Sequence, residues 1–263
     1  MNIFITGASS GIGNAIAHEY AKRFANTQSI IGLVARRSEH LQKLASELQN
    51  KYTITCVIYV LDVRDAAALQ SAANDFMQQH GMPNIVIANA GVSRGTLTEI
   101  ADDNKAIQAI FDINVMGLVN TFAPFIAAMK EKGGGQLVGI ASVAGIRGIS
   151  GSGAYSASKA AVISYCESLR AEMQHYNIAV STIAPGYVRT PMTEQNQYKM
   201  PFLMDADVFA ERFVNAVEAK ARFKIIPWQM GIIARMMRLI PPRLWDYLMK
   251  NAPHKKRIDW DWL

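Results

Sequence analysis

A chain of 263 residues, half of them hydrophobic and 18% charged, is long enough for one α/β domain with a large core and too apolar for a disordered segment. Two cysteines without a Cys-x-x-Cys spacing exclude a disulfide framework, and five scattered histidines build no metal-ligand cluster. The net charge of +6 is local, because residues 220–263 carry ten Lys and Arg against three Asp, so the basic balance does not point to nucleic acid.

The chain opens directly on an apolar run, 2–6, which predicts a first strand in place of a signal peptide, and a cytoplasmic protein is expected. Residues 6–13 read Thr-Gly-Ala-Ser-Ser-Gly-Ile-Gly, and a helical pattern follows over 12–25. Strand, glycine turn and helix suit a phosphate. Glycines permit close backbone approach, and a helix N-terminus offers N–H groups and partial positive charge. Further strands are predicted at 29–35, 54–60, 84–89, 136–141, 178–183 and 222–226. Helices are predicted at 39–50, 66–79, 103–130, 154–176 and 206–220, with Lys-Gly-Gly-Gly at 132–135 as a helix stop. Cys56 falls in a strand-like run and Cys166 in a helical one, so both read as small buried hydrophobes. The alternation predicts an α/β fold with a doubly wound, seven-stranded parallel sheet and a ligand cleft at the carboxyl ends of its strands.

Tyr155 and Lys159 stand four residues apart in a helical stretch, so their side chains share a face. A free Tyr, with a pKa of ~10, is a poor proton donor or acceptor near neutrality. An adjacent ammonium favours the phenolate and would bring that value towards the working range. The pair predicts proton transfer to or from an alcohol or carbonyl oxygen.

Taken together, these motifs resemble the single-domain short-chain dehydrogenases/reductases over about residues 1–227. Gly7, Ser9, Ser10, Gly11, Ile12 and Gly13 match the family's cofactor loop, and Asn89-Ala90-Gly91 its motif after the fourth strand. Asn114, Ser142, Tyr155 and Lys159 match its four catalytic positions in order. Pro185-Gly186 with Val188 and Thr190 match the segment after the sixth strand. The resemblance implies a Rossmann-type fold and an oxidoreductase that interconverts a carbonyl and an alcohol by hydride transfer. It implies that Tyr155 is the general acid/base, that Ser142 hydrogen-bonds the reacting oxygen, and that Lys159 holds the nicotinamide ribose. Asn114 is implied to kink its helix and hold a water that links Lys159 to solvent. Asp62, in Leu-Asp-Val with Val63, is implied to meet the adenine, and Ser9 a phosphate.

The second strand ends in Ala35-Arg36-Arg37, where NAD-selective members place an acid. An acid would repel a 2′-phosphate, whereas guanidinium groups bind it, so NADP(H) is expected over NAD(H). Residues 187–205 resemble the family's variable substrate lid. They carry Met192, Tyr198, Met200, Phe202, Leu203 and Met204, which predicts a hydrophobic substrate, with a lid packed on its own core as the alternative. The family also implies a homodimer or homotetramer paired through the helices at 103–130 and 154–176.

Residues 228–263 form an extension beyond the compact pattern. Arg235, Arg238 and Pro241-Pro242 interrupt it too often for a bilayer span, so two short amphipathic helices are expected over 228–250. These would pack on the body or a partner subunit, cap the cleft, or rest peripherally on an anionic membrane. Two other functions stay open: a non-catalytic NADP(H) sensor or scaffold, and, among enzymes, a 3-ketoacyl-carrier-protein reductase. The complete catalytic set favours an enzyme.

Overall fold

Alternate residues of the first strand, β1 (Asn2–Thr6), point to opposite sides: Ile3 and Ile5 into one apolar layer, Phe4 into another. The computed structural model describes residues 1–257. In it β1 is followed by α1 (Gly11–Arg23), β2 (Ile30–Ala35), α2 (Ser38–Tyr52), β3 (Thr55–Val60), α3 (Ala66–His80) and β4 (Ile85–Ala88). Then come α4 (Asp103–Phe111), α5 (Gly117–Lys132), β5 (Gly135–Ile140), α6 (Gly153–Met173) and β6 (Ile178–Pro185). The chain continues with α7 (Pro191–Glu194), α8 (Ala206–Glu218), β7 (Phe223–Ile226), α9 (Trp228–Leu239) and α10 (Pro242–Met249). The strands form one seven-stranded sheet in the order β3-β2-β1-β4-β5-β6-β7, parallel throughout. The order reverses between β1 and β4, which opens a crevice at their carboxyl ends.

Each face of the sheet has its own core. On one side α1, α2 and α8 bury Ile16, Tyr20, Leu44, Phe209 and Phe213 against Ile3 and Ile5. Arg23 ties this layer together, donating to Glu19 at 2.8 Å and to Glu218 and Asn215 at 2.7 Å each. On the other side α3, α5 and α6 close over Phe4, whose ring lies 5.6 Å from Phe76 and 4.9 Å from Phe125 in tilted and edge-on geometries. Cys166 is fully buried, and burial pushes its thiol up to about 11, as the reading of a small hydrophobe requires.

Three departures from expectation have local causes. The helix expected over 103–130 is broken by a π-helical turn, Asp112–Met116, between α4 and α5. The helix expected to reach 176 ends at Met173, and a 3₁₀ turn over Gln174–Tyr176 leads to Asn177 in the left-handed region. Within 187–205, Thr190 and Thr193 form a capping box with Pro191 at the first helical position, which starts the short helix α7. Of the small and apolar residues on the two long helices, Ala109, Ile110 and Leu169 face the core, while Ala160 is exposed.

The extension folds as the two expected helices. Met230, Gly231 and Ala234 of α9 are buried, while Trp228 is 63% and Leu239 82% exposed. Arg147 donates to the carbonyls of Met237 and Ile240 and lies over the Trp245 ring, whose Nε1 donates to the Gly148 carbonyl at 3.1 Å. The last part of the extension, 258–263, lies outside the described residues, and with it two of the acids counted in the tail.

Candidate active site

The turn from β1 into α1 is shaped by close approach. Gly7 has φ +68°, and a Cβ there would stand 2.7 Å from the Ala90 Cα. Asn89 donates from Nδ2 to the carbonyls of Thr6 and Gly7 at 3.0 and 3.1 Å, which joins the ends of β1 and β4. Gly13 packs directly on the Gly7 carbonyl, leaving no space for a side chain. Ser10 is the N-cap of α1 yet makes no side-chain cap bond, and the first turn carries no acid. The helix N-terminus is thus left for an anion. A pyrophosphate fits this loop.

At the carboxyl end of β2, Arg37 donates to Ser9 at 3.0 Å and Ser10 at 2.7 Å, which fixes its guanidinium over the glycine loop. Arg36 leans the other way, to Asp62 at 3.6 Å, which Arg64 also binds at 2.8 Å. Burial alone would raise the Asp62 carboxyl, but its bonds from Arg64 and the charge of Arg36 hold it below its ordinary value. Of the two arginines, Arg37 therefore stands nearest the loop serines, and the cluster suits a phosphate on an adenosine ribose.

The reacting end lies across the sheet. Ser142, just after β5, accepts from the Ala144 N–H at 3.1 Å and caps the following 3₁₀ turn. Tyr155 and Lys159 project from the first two turns of α6. Lys159 is buried and donates from Nζ to the Ile140 carbonyl at 2.8 Å. Burial lowers its ammonium to about 8. Burial raises the Tyr155 phenol, against the pull of a hydrogen bond with Ser142. The lowering of Tyr155 expected from Lys159 is thus corrected. The lysine has its own charge disfavoured by desolvation and spends a donor on Ile140, so it does not offset the burial of the phenol.

Asn114 sits in the π-helical turn and is 1% exposed. It donates to the Val92 carbonyl and to Ser158 Oγ, each at 3.0 Å, and accepts from the Val92 N–H at 2.8 Å. Gly91 lies against both groups, since a Cβ there would stand 3.2 Å from Asn114 Oδ1 and 3.4 Å from Lys159 Nζ. Asn114 consequently fastens the segment after β4 to the helix that carries Lys159.

One cleft of about 820 Å³ runs between these two ends. Gly7, Ser9, Ser10, Gly11, Ile12, Arg36, Arg37, Asp62, Val63, Asn89, Ala90 and Gly91 line it, as do Ser142, Tyr155, Lys159, Pro185, Gly186, Val188 and Thr190. Gly13 and Asn114 stand behind its wall. Residues not singled out from the sequence also line it, among them Leu61, Val92, Ile113 and Ile140. They are apolar strand-end and helix residues, and no pattern separates them from ordinary core positions.

A model of the short chain dehydrogenases matches residues 1–201. This chain belongs to that family. An uncharacterized oxidoreductase of Myxococcus xanthus is 34% identical over 242 residues, covering 92% of this chain and 93% of the relative. L-Sorbose reductase from Gluconobacter frateurii, solved with NADPH and L-sorbose, is 25% identical with a TM-score of 0.75, over 86% of this chain and 94% of that one. A short-chain dehydrogenase from Sphingobium yanoikuyae, solved in complex with NADPH, is 24% identical with a TM-score of 0.78 and shares the fold over 98% of both chains. As a short-chain dehydrogenase this chain is an oxidoreductase of small molecules that binds a nicotinamide cofactor, and the glycine loop is the part of its cleft suited to the dinucleotide phosphates.

Proposed function

We propose that this short-chain dehydrogenase interconverts a hydrophobic carbonyl compound and its alcohol, using NADP(H) in preference to NAD(H). One observation carries the reading: Tyr155, Ser142 and Lys159 share a cleft whose far end holds two arginines and no acid at position 35. NADPH, when bound, supplies a hydride to the carbonyl carbon. Arg37, Ser9 and Arg36 would hold its 2′-phosphate, and the N-terminus of α1 its pyrophosphate. Lys159 would hold the nicotinamide ribose hydroxyls.

As negative charge grows on the carbonyl oxygen, Tyr155 donates its proton there and Ser142 a hydrogen bond. Asn114 acts from behind the wall, holding Val92 and Ser158 and with them the helix that carries both reacting residues. A proton resupply path past Lys159 would run beside this tie. The aromatic pair Tyr187 and Tyr198, with ring centroids 6.3 Å apart, supports a hydrophobic substrate region in the lid.

The same reading includes a two-fold homodimer through the outward faces of α5 and α6, where Met116, at the end of the π-helical turn before α5, and Ala160 are exposed. It also includes peripheral contact of α9 and α10 with an anionic membrane, supported by exposed Trp228, Leu239 and Tyr247 beside Arg235, Arg243 and Lys250.

The test is oxidation of NADPH and NADH by the purified protein across a panel of ketones and aldehydes. Turnover with NADPH is expected, faster on apolar carbonyls than on sugars. Tight NADPH binding with no turnover on any carbonyl would favour a sensor instead.

A further inference from the structure

After α10 the chain turns back across the molecule. The Ser150 hydroxyl and His254 Nε2 lie 3.0 Å apart, the Gly95 N–H donates to the Lys256 carbonyl at 3.0 Å, and Arg257 closes on Asp103. Residues 254–257 thus bridge the segment after β4 and the segment that leads into α6. These two segments are themselves joined where Thr96 pairs with Ser152. The strap so formed passes over the reacting end of the cleft, and the Lys255 Nζ lies 5.7 Å from the centre of the Tyr155 ring.

We propose that Lys255 is a substrate-recognition residue, whose ammonium binds a carboxylate carried by the substrate while Tyr155 meets the reacting oxygen. The inference rests on the reading of this cleft as a carbonyl/alcohol site and adds the chemical class: oxo or hydroxy acids with an apolar body.

Three observations carry it. The Lys255 Nζ donates to Ser93 Oγ at 2.7 Å, and among the described residues it meets no carboxylate. A half-buried ammonium with one neutral partner keeps donors for a ligand, and partial desolvation makes an unanswered charge costly. The neighbouring Arg257 already takes the one buried acid in reach, Asp103, so the strap is anchored without any call on Lys255. The Lys255 Nζ also faces the Tyr155 ring, and the lid brings the aromatic pair Tyr187 and Tyr198 towards that tyrosine, with Tyr198 close enough for the charge of Tyr155 to act on it. Burial lowers the Lys255 ammonium to about 8, and an arriving carboxylate would raise it again by favouring the charged form.

The test compares matched pairs: para-acetylbenzoate with its methyl ester, and levulinate with its methyl ester, each with NADPH. The wild type should favour the acid over the ester in kcat/KM. Lys255→Gln should collapse that ratio by about ten- to a hundredfold, the span of a hydrogen bond to a charged group, and Lys255→Arg should restore most of it. NADPH affinity and melting temperature report that each variant is folded. Equal preference for acid and ester in the wild type overturns the inference, as does a loss in Lys255→Gln shared equally by both. Calorimetry with laurate and dodecanol separates the inference from the reading beneath it. If no ketone is reduced yet laurate binds more tightly than dodecanol and loses this advantage in Lys255→Gln, the carboxylate site stands and the carbonyl chemistry falls. If esters are reduced and laurate shows no dependence on Lys255, the reverse holds.

Discussion

Arg257 grips Asp103 with Nε 2.9 Å from one carboxylate oxygen and Nη2 3.1 Å from the other, although the aspartate has no exposure to solvent. Arg94 and the Leu97 N–H complete the set at 3.4 and 2.8 Å. A carboxylate buried this deeply is tolerable only because its partners surround it.

Removing that carboxylate should therefore be expensive. Asp103→Ala is expected to destabilise the fold by about 3–5 kcal/mol, since it removes the buried carboxylate on which Arg94, Arg257 and the Leu97 N–H converge. Burial alone would raise the Asp103 carboxyl, but Arg257, the Leu97 N–H and Arg94 outweigh it and hold it below its ordinary value. Its contribution is then fully present above the unfolded carboxylate range and is lost as pH falls through the lowered folded value. Urea unfolding of both proteins checks this, and their difference should shrink only in strong acid.

Cofactor selectivity should reside more in Arg37 than in Arg36, because Arg37 is the one fixed on Ser9 and Ser10. Arg37→Ala is expected to weaken NADPH by about 1.5–3 kcal/mol and to leave NADH nearly unchanged. Adding Ala35→Asp should reverse the preference. Fluorescence titration with both cofactors reads the outcome, and equal losses for the two would remove the arginine from the phosphate site.

Tyr155→Phe keeps the ring and removes the proton. Turnover is expected to fall by about 10²–10⁴-fold, the usual share of a positioned acid, with NADPH affinity retained. Steady-state rates beside cofactor titration decide it. A variant near wild-type rate would take the tyrosine out of the chemistry.

Lys159 makes stability depend on alkaline pH. Its folded value of about 8 lies below the ordinary 10.5, so between these limits the unfolded chain holds more protons. Stability from this group therefore rises with pH across that window. Relative to Lys159→Met, the wild type should gain up to about 3 kcal/mol between the two limits. Denaturant melts at stepped pH measure it, and a pH-independent difference would mean that the amine is solvated.

The outward faces of α9 and α10 should bind anionic vesicles in a salt-sensitive way, with each basic residue near the surface worth about 1 kcal/mol. Co-sedimentation with phosphatidylserine vesicles tests this. Binding is expected at low ionic strength and release at high. No binding at low salt assigns those faces to a protein partner.

The sheet was legible because each strand is a short apolar run followed by turn residues, and its boundaries fell within a few positions of the observed ones. The cleft lining was legible for a different reason. Close backbone approach demands glycine at Gly7 and Gly13, and the proposed proton chemistry asks for a particular side chain at Tyr155, so identity alone marks those positions. Two things were hidden. The phenol of Tyr155 responds to its burial, which no spacing of residues reports. The return of Lys255 to the cleft depends on a pairing between Arg257 and Asp103 across 154 positions of sequence. Within the sequence alone, that lysine is one of three consecutive bases in a polar tail.

The groups of the cleft are dealt out along the chain in blocks. The glycine loop and the two arginines come from the first strands, Ser142, Tyr155 and Lys159 from β5 onward, and the strap beside Tyr155 from residues 254–257. The strap touches the body chiefly at Asp103, Gly95 and Ser150, none of which contacts the glycine loop. Grafting residues 228–257 from a relative would therefore alter what lies beside Tyr155 and leave the glycine loop and its serines in place, with Met230 on Gly186 the contact to preserve. Choice of substrate and hold on the nicotinamide cofactor would then be separable by engineering, each lodged in its own stretch of sequence.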